Sequence, residues 1–137
     1  MNKYFEITIE EAKKAFKKNE VPVGALIVSN DKIISKTHNK RQSKHGVLNH
    51  AEILCIIKAE KKMKDWRLDN CEMYVTLEPC TLCKKIIEHS RIKKVYYLTN
   101  KPENNKEYKK TIYEHMSVDR YDKENKKILA KFFEKMR

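Results

Sequence analysis

The spacing of hydrophobic positions predicts a helix followed by a β-hairpin in the first third of the chain. Over residues 4–18, apolar side chains recur at the interval of an amphipathic helix, at Phe5, Ile9, Ala12 and Phe16. Residues 23–28 are a short β-branched run, and residues 29–32 supply a turn into Ile33 and Ile34. Residues 38–49 have no period and carry polar groups, so we expect a loop there.

The middle of the chain alternates helical and strand patterns. Helices are predicted over about 50–62 and 81–90, and strands over 73–77 and 95–98. Such alternation predicts an α/β sheet whose chemistry lies at the strand ends. A loop follows over 99–111, the pattern near 116–118 allows a short additional strand, and a final amphipathic helix contains Ile128, Leu129, Phe132, Phe133 and Met136.

Length and composition bound the class of protein. At 137 residues the chain has the length of one domain, which we assign to residues 1–137. Four cysteines in no regular framework, and no secretory leader pattern at the start, lead us to expect a cytoplasmic protein in a reducing compartment. No stretch approaches the length of a membrane span.

The formal charge of +12 is weak evidence for a polyanionic partner. The 31 basic residues comprise 26 lysines and only 5 arginines, a balance typical of coding by an A- and T-rich genome. Arginine is the better reader of phosphates and bases, and it is scarce. The charge therefore raises the case for RNA binding only modestly.

Two short strings carry the candidate chemistry: His50-Ala51-Glu52, and Pro79-Cys80-Thr81-Leu82-Cys83. Imidazole nitrogen and thiolate sulfur are ligands that zinc prefers, and a catalytic zinc keeps three protein ligands with one position open. His50, Cys80 and Cys83 are the predicted ligands. We expect the metal off the N-terminus of a helix beginning near His50, where Glu52 can reach an activated water and carry its proton without ligating the ion.

Three other interpretations of these strings stay open. A structural zinc would need a fourth ligand, for which Cys55 and Cys71 are the spare cysteines. The Cys80-x-x-Cys83 spacing alone also fits a thioredoxin-like redox pair. The strings could finally occur together by chance, with no metal.

Asn39, in the polar segment, is a further candidate for substrate binding. Its amide can both donate to and accept from a purine edge. The alternative, which sequence physics alone favours, is a turn residue that caps its own backbone.

Several strings together give the chain a family resemblance, from the first helix to Leu98: Glu20-Val21-Pro22-Val23-Gly24-Ala25, Asn39, His50-Ala51-Glu52-Ile53, Trp66-Arg67-Leu68, Tyr74-Val75-Thr76-Leu77-Glu78-Pro79-Cys80 and His89-Ser90-Arg91-Ile92. The chain resembles bacterial tRNA-specific adenosine deaminases of the TadA type, within the cytidine deaminase superfamily. The resemblance implies a three-layer α/β/α cytidine deaminase-like fold with a central mixed sheet of about five strands.

The resemblance also implies an activity, which is conversion of the wobble adenosine of a tRNA to inosine by a homodimer with one zinc ion per subunit. His50, Cys80 and Cys83 would hold that ion. Glu52 would carry protons and Asn39 would contact the flipped target nucleotide. Phe132 and Phe133 match the last helix of the family and could stack on bases of the anticodon loop, or pack in a core.

The chain departs from the family around the substrate rather than at the metal. Lys84, Lys85 and Ile86 replace small residues, and a gapless count puts Lys101 where the family has an acid in a Gly-rich loop. Two alternatives to the tRNA enzyme therefore stay open. One is a deaminase of a free base or nucleoside such as cytosine, guanine or cytidine. The other is a catalytically silent partner subunit or RNA-binding module, against which the intact Glu52 argues.

Overall fold

The structure is a computed structural model that describes residues 2–101, 112–116 and 118–136. These fall into two compact units, with residues 2–101 in the first and the remaining described residues in the second. The single domain over residues 1–137 stays a prediction. None of the described helices is both long and apolar enough to cross a membrane.

The first unit alternates helices and strands in the predicted order. Within residues 2–101 the elements are α1 Asn2–Lys17, β1 Gly24–Ser29, β2 Lys32–His38, α2 Ala51–Met63, β3 Cys71–Leu77, α3 Thr81–His89 and β4 Lys94–Thr99. The strands form one sheet in the order β2-β1-β3-β4. β1 is antiparallel to both β2 and β3, whereas β3 and β4 are parallel, so the sheet is mixed.

Successive residues of β1 point to opposite faces of the sheet and build two separate cores. Ala25 and Ile27 pack in a core with Ala51 of α2 and Ile87 of α3. Leu26 lies on the other face, where it clusters with Tyr4 of α1 and with other residues of that face. Helices therefore cover both faces, and the predicted three-layer α/β/α fold is confirmed.

The sheet has four strands in the described part of the chain, rather than about five. Met116 and Val118 lie in no strand, and Ser117 is outside the described residues. β2 is also longer than its apolar start predicts, because polar residues of this strand are buried. The Ser35 hydroxyl donates to the Cys55 carbonyl oxygen at 3.0 Å, and the Thr37 hydroxyl donates to that of Ala51 at 2.6 Å. These bonds attach β2 to α2 and extend the strand to His38, the residue before Asn39.

Gly24 allows α1 to lie directly on β1. A Cβ atom at this position would overlap the Thr8 carbonyl oxygen and lie 2.8 Å from the Ala12 backbone nitrogen. Both clashes are with backbone atoms, which cannot turn away as a flexible side chain can. Glycine is therefore required for this helix–strand contact.

The second unit contains one described helix, α4 Asp119–Lys135. It begins nine positions before Ile128, the first residue of the predicted apolar stripe. An ion pair between Lys126 Nζ and Asp122 Oδ2, at 3.1 Å, supports its first half. Phe132 and Phe133 on this helix are 55% and 60% exposed.

Candidate metal centre and its cavity

Two helix N-termini position the candidate metal ligands. His50 is the N-cap of α2 and Cys80 is the N-cap of α3, both with extended backbone conformations. Neither side chain bonds to the backbone of its own helix, as a capping side chain would. The imidazole and the thiol are therefore free to point away from their helices toward a common position.

The donor atoms of His50, Cys80 and Cys83 all lie within 4.8 Å of one another. Cys83 Sγ is 3.5 Å from His50 Nδ1. Two such ligands on one tetrahedral zinc, with bonds of roughly 2.3 Å and 2.0 Å, stand about 3.5 Å apart. The donor set and this separation therefore fit a zinc ion bound through Nδ1 of the histidine.

The two thiols of this group differ in protonation. Hydrogen bonds from Cys83 and His50 lower the pKa of Cys80 to about 3. The pKa of Cys83 is raised, first by its hydrogen bond to Cys80 and then by burial. Cys80 is therefore a thiolate that accepts from the Cys83 thiol, and one of the two charges that a metal needs is already present.

The remaining cysteines are not part of this group. Cys55 Sγ lies 3.1 Å from the Ser35 hydroxyl, and burial raises the pKa of Cys55 to about 12. Cys71 is fully buried in the core under α2. Among the described residues the group thus has three protein ligands, which leaves the fourth position of a tetrahedral ion open.

Glu52 sits in the first turn of α2, two positions after His50, and lines the same cavity. The residue is only 5% exposed. Burial raises the pKa of Glu52, opposed by a hydrogen bond from its own backbone N–H. A carboxyl group in this environment can hold a proton closer to neutral pH than a surface glutamate does.

The cavity has a volume of about 220 Å3 and brings four predicted site residues together. Its lining comprises Val21, Val23, Asn39, Arg41, His50, Glu52, Leu77, Glu78, Cys80 and Lys101. Cys83 is buried and contacts the cavity's His50.

Asn39 directly follows β2 and is one of the residues that line this cavity. Its backbone N–H donates to the Val23 carbonyl oxygen at 3.0 Å, and the residue is 5% exposed. Its side-chain oxygen is buried and accepts no hydrogen bond from any described residue. A buried acceptor without a partner is costly, and this oxygen makes no turn-capping bond within the described residues.

Phe132 and Phe133 belong to the second unit. Their rings contact each other edge to face, with centroids 5.6 Å apart. Their contact with bases stays a prediction.

Sequence reasoning missed Glu20, which fastens the loop beside the cavity. Its buried carboxylate accepts backbone N–H bonds from Gln42 at 2.9 Å and Ser43 at 2.6 Å. Burial opposes ionisation, but these bonds prevail and the pKa of Glu20 is lowered. The residue stands in the Glu-Val-Pro-Val-Gly string, yet nothing in its local pattern signals a bond to a loop 22 positions away.

Comparisons with known proteins agree with this fold. A family model for MafB19-like deaminases matches residues 1–137. The tRNA-specific adenosine deaminase of Bacillus subtilis (strain 168) is 45% identical over 94 residues, which are 69% of this chain and 58% of that protein. That of Aquifex aeolicus (strain VF5) is also 45% identical over 94 residues, covering 69% of this chain and 62% of the relative.

Solved structures give the same class. One from studies of A-to-I editing by tRNA:A34 deaminases at the wobble position of transfer RNA superposes with a TM-score of 0.73 and 35% identity, over 74% of this chain and 78% of that one. A guanine deaminase from Bacillus subtilis gives a TM-score of 0.80 over 94% of this chain and 93% of that one. Its identity is 21%, so that likeness concerns the fold alone.

The fold is thus that of a deaminase class. The chain belongs to the MafB19-like deaminase family. The resemblance to tRNA-specific adenosine deaminases drawn from the sequence is confirmed by these relatives, of whose length the chain spans about three-fifths.

Proposed function

We propose that this chain is a zinc-dependent hydrolase that converts adenosine to inosine at the wobble position of a tRNA. One observation carries the proposal: a buried carboxyl group, Glu52, shares a cavity with a three-ligand group and with the unsatisfied amide oxygen of Asn39. The relatives named tRNA-specific adenosine deaminase support the choice of substrate.

His50, Cys80 and Cys83 would hold one zinc ion per chain. A zinc ion held there would supply Lewis acidity that makes water a nucleophile near neutral pH. The helix N-terminus at Cys80 adds partial positive charge, which favours the thiolate form of both cysteines.

Glu52 is the proposed proton carrier. Its carboxylate takes a proton from the attacking water and passes it to N1 of adenine. It then takes the remaining proton of the added hydroxyl group and delivers it to the amino group, which leaves as ammonia while C6=O forms. These transfers need a group that can be charged and neutral in turn, and burial moves the pKa of Glu52 toward that range. Its position within the cavity gives it access to both water and base.

Asn39 is the proposed contact to the target nucleotide, since its oxygen can accept an N–H or O–H of the substrate. The base must leave its stack to enter the cavity, and this is least costly in a loop that is already single-stranded, such as the anticodon loop. Phe132 and Phe133, with exposed rings, would stack on neighbouring bases of that loop.

The proposal includes the setting in which the chain acts. Its partner is the anticodon loop of a tRNA, its assembly is a homodimer, and its location is the cytoplasm. Light scattering at micromolar concentration tests the assembly directly, because a monomer has a mass of 16.4 kDa.

The test of function is inosine formation on a short RNA stem-loop with adenosine at the wobble position. Zinc-loaded protein is compared on this RNA, on the same RNA with the adenosine moved by one position, and on free adenosine, cytidine, cytosine and guanine. The Glu52→Ala variant serves as the blank. Inosine from the wobble adenosine only is the expected result.

Two outcomes would overturn the proposal. Turnover of a free base or nucleoside with none on the stem-loop would assign a small-molecule deaminase. Tight RNA binding with no turnover by the zinc-loaded chain, on the stem-loop or on full-length tRNA, would assign a silent partner or binding module.

A further inference from the structure

Two cationic side chains at the cavity have no assigned role. Arg41 lies in the loop between β2 and α2, and Lys101 follows the end of β4. Both line the cavity that contains His50 and Glu52. Arg41 is exposed and its guanidinium has no hydrogen-bond or ion-pair partner within the described part of the chain.

Glu78, an acid of the same lining, does not balance these charges. Its carboxylate already forms an ion pair with Lys84, with Nζ 2.9 Å from Oε2. Its other oxygen accepts the backbone N–H of Lys101 at 3.4 Å. Glu78 therefore faces two lysines, Lys84 through an ion pair and Lys101 through its backbone N–H and its nearby charge, and one negative charge cannot neutralise both.

The loop that carries Arg41 is held in a defined shape. The buried Glu20 carboxylate accepts the backbone N–H groups of the next two residues, Gln42 and Ser43. The Arg41 carbonyl oxygen accepts from the Gly46 backbone N–H at 3.1 Å. Arg41 is thus presented at the cavity by a fastened loop, which lowers the entropy cost of using it to bind a ligand.

We propose that Arg41 and Lys101 bind the phosphodiester that flanks the target nucleotide, and that the chain thereby selects nucleotides within RNA over free bases and nucleosides. A guanidinium offers two parallel N–H bonds to phosphate oxygens, and an ammonium adds a point charge. A free base or nucleoside has no anion to offer this pair. The inference rests on the proposed function and names the substrate feature that the same site recognises.

The experiment measures RNA affinity without turnover. A labelled stem-loop with a wobble adenosine is titrated with zinc-loaded Glu52→Ala protein by fluorescence anisotropy. Two further RNAs carry one neutral methylphosphonate, either 5′ or 3′ of the target adenosine. Each RNA is also titrated with Arg41→Ala, Lys101→Ala and the double variant in the same background.

Lys61→Ala is the matched control. It removes the same charge from the other end of α2, about 16 Å along the helix axis from His50. Lys61 is exposed and lies outside the cavity lining.

We expect one of the two methylphosphonates to weaken binding to the parent protein by about tenfold. The double variant should bind ordinary RNA more weakly by about the same factor and become insensitive to that methylphosphonate. The slope of log affinity against log salt should become shallower by about 0.7 for each phosphate that is no longer neutralised. Lys61→Ala should keep the sensitivity of the parent.

The inference is overturned if the double variant keeps the full methylphosphonate effect, if the parent shows none at either position, or if Lys61→Ala loses the effect equally. A misfolded double variant would also bind weakly and without the methylphosphonate effect, so each variant must match the parent in zinc content and thermal melting before it is titrated. Failure of the proposed function looks different. In that case the chain with Glu52 intact makes no inosine from the stem-loop. The effect of the methylphosphonates on binding can still be measured, because that assay needs no turnover.

Discussion

Cys83 Sγ and His50 Nδ1 lie 3.5 Å apart, although 33 positions separate the two residues in the sequence. The contact joins the first turn of α3 to the N-cap of α2. It also matches the spacing of two ligands on one tetrahedral zinc, so the fold brings the donors together by itself.

Replacing Cys83 by serine should remove most of the zinc. A hydroxyl is a far weaker ligand than a thiolate, so the loss of affinity should exceed the roughly 10–100-fold typical for residues that only support a ligand. The measurement is zinc per chain by mass spectrometry after dialysis, with thermal melting to record linked stability. Cys55→Ala, which changes a buried thiol outside the group, should keep its zinc. If the Cys83 variant held as much zinc as the parent protein, Cys83 could not be one of the zinc ligands.

Replacing Glu52 by glutamine should abolish proton transfer while preserving shape. We expect turnover to fall by about 10²–10⁴-fold, the usual contribution of a positioned acid or base, with zinc content retained. Rates on the stem-loop substrate, with zinc per chain measured alongside, check this. Glu60→Gln is the matched control, because it changes another α2 glutamate whose pKa burial raises. A Glu52→Gln enzyme with near-parental rate would mean that the proton travels through another group.

Glu20 should make stability depend on pH in the acid range. Although burial opposes ionisation, the N–H groups of Gln42 and Ser43 lower the pKa of Glu20 in the folded chain. Its stabilisation is therefore complete above the ordinary value of 4.5 and is lost as the pH falls through the lowered value. Glu20→Gln should melt below the parent at neutral pH, and the gap should close on acidification.

The control for Glu20 is Glu10→Gln, which changes an exposed carboxylate of α1 paired only with Lys13 in the described ion pairs. It should shift the melting temperature little across the same pH series. A Glu20 gap that stays constant with pH would contradict the assigned carboxylate bonds.

Gly24→Ala should destabilise the protein strongly. The added methyl group meets backbone atoms of α1, so the helix must move off β1. Overpacking typically costs about 1–3 kcal/mol, measured here as the free energy of unfolding in urea. At Gly46 the nearest atoms belong to the flexible Asn49 side chain, so Gly46→Ala should cost much less. Equal losses at the two glycines would argue against the close approach of α1 to β1.

Much of the fold could be predicted from local sequence, because the helices show an apolar period and β1 is a short, mostly apolar run that is buried on both faces. The candidate metal ligands could be predicted as well, because their residue types and short spacings are those that a zinc ion needs. The sequence set no end to the second strand of the hairpin, because Ser35 and Thr37 are polar and their burial depends on bonds to α2. Burial of a polar residue depends on its partner, and local sequence does not give the partner.

The polar lining of the cavity was harder to predict for the same reason. Asn39 could be singled out for its chemistry, but the sequence favoured a turn cap until its oxygen proved to accept no bond from a described residue. The position of Arg41 depends on Glu20, whose carboxylate binds the backbone of the loop that carries Arg41. These bonds join residues about 20 positions apart in the sequence. Such contacts leave no periodic signal.

The N-caps of α2 and α3 imply a conflict between stability and activity. Serine, threonine, aspartate or asparagine at an N-cap is worth about 1 kcal/mol to a helix, and this chain has His50 and Cys80 there, neither of which caps. The protein thus forgoes two ordinary sources of helix stability at the positions where its chemistry is proposed. Selection for thermal robustness alone would be expected to replace these two residues first, so the proposed metal binding would account for their presence at a cost in stability.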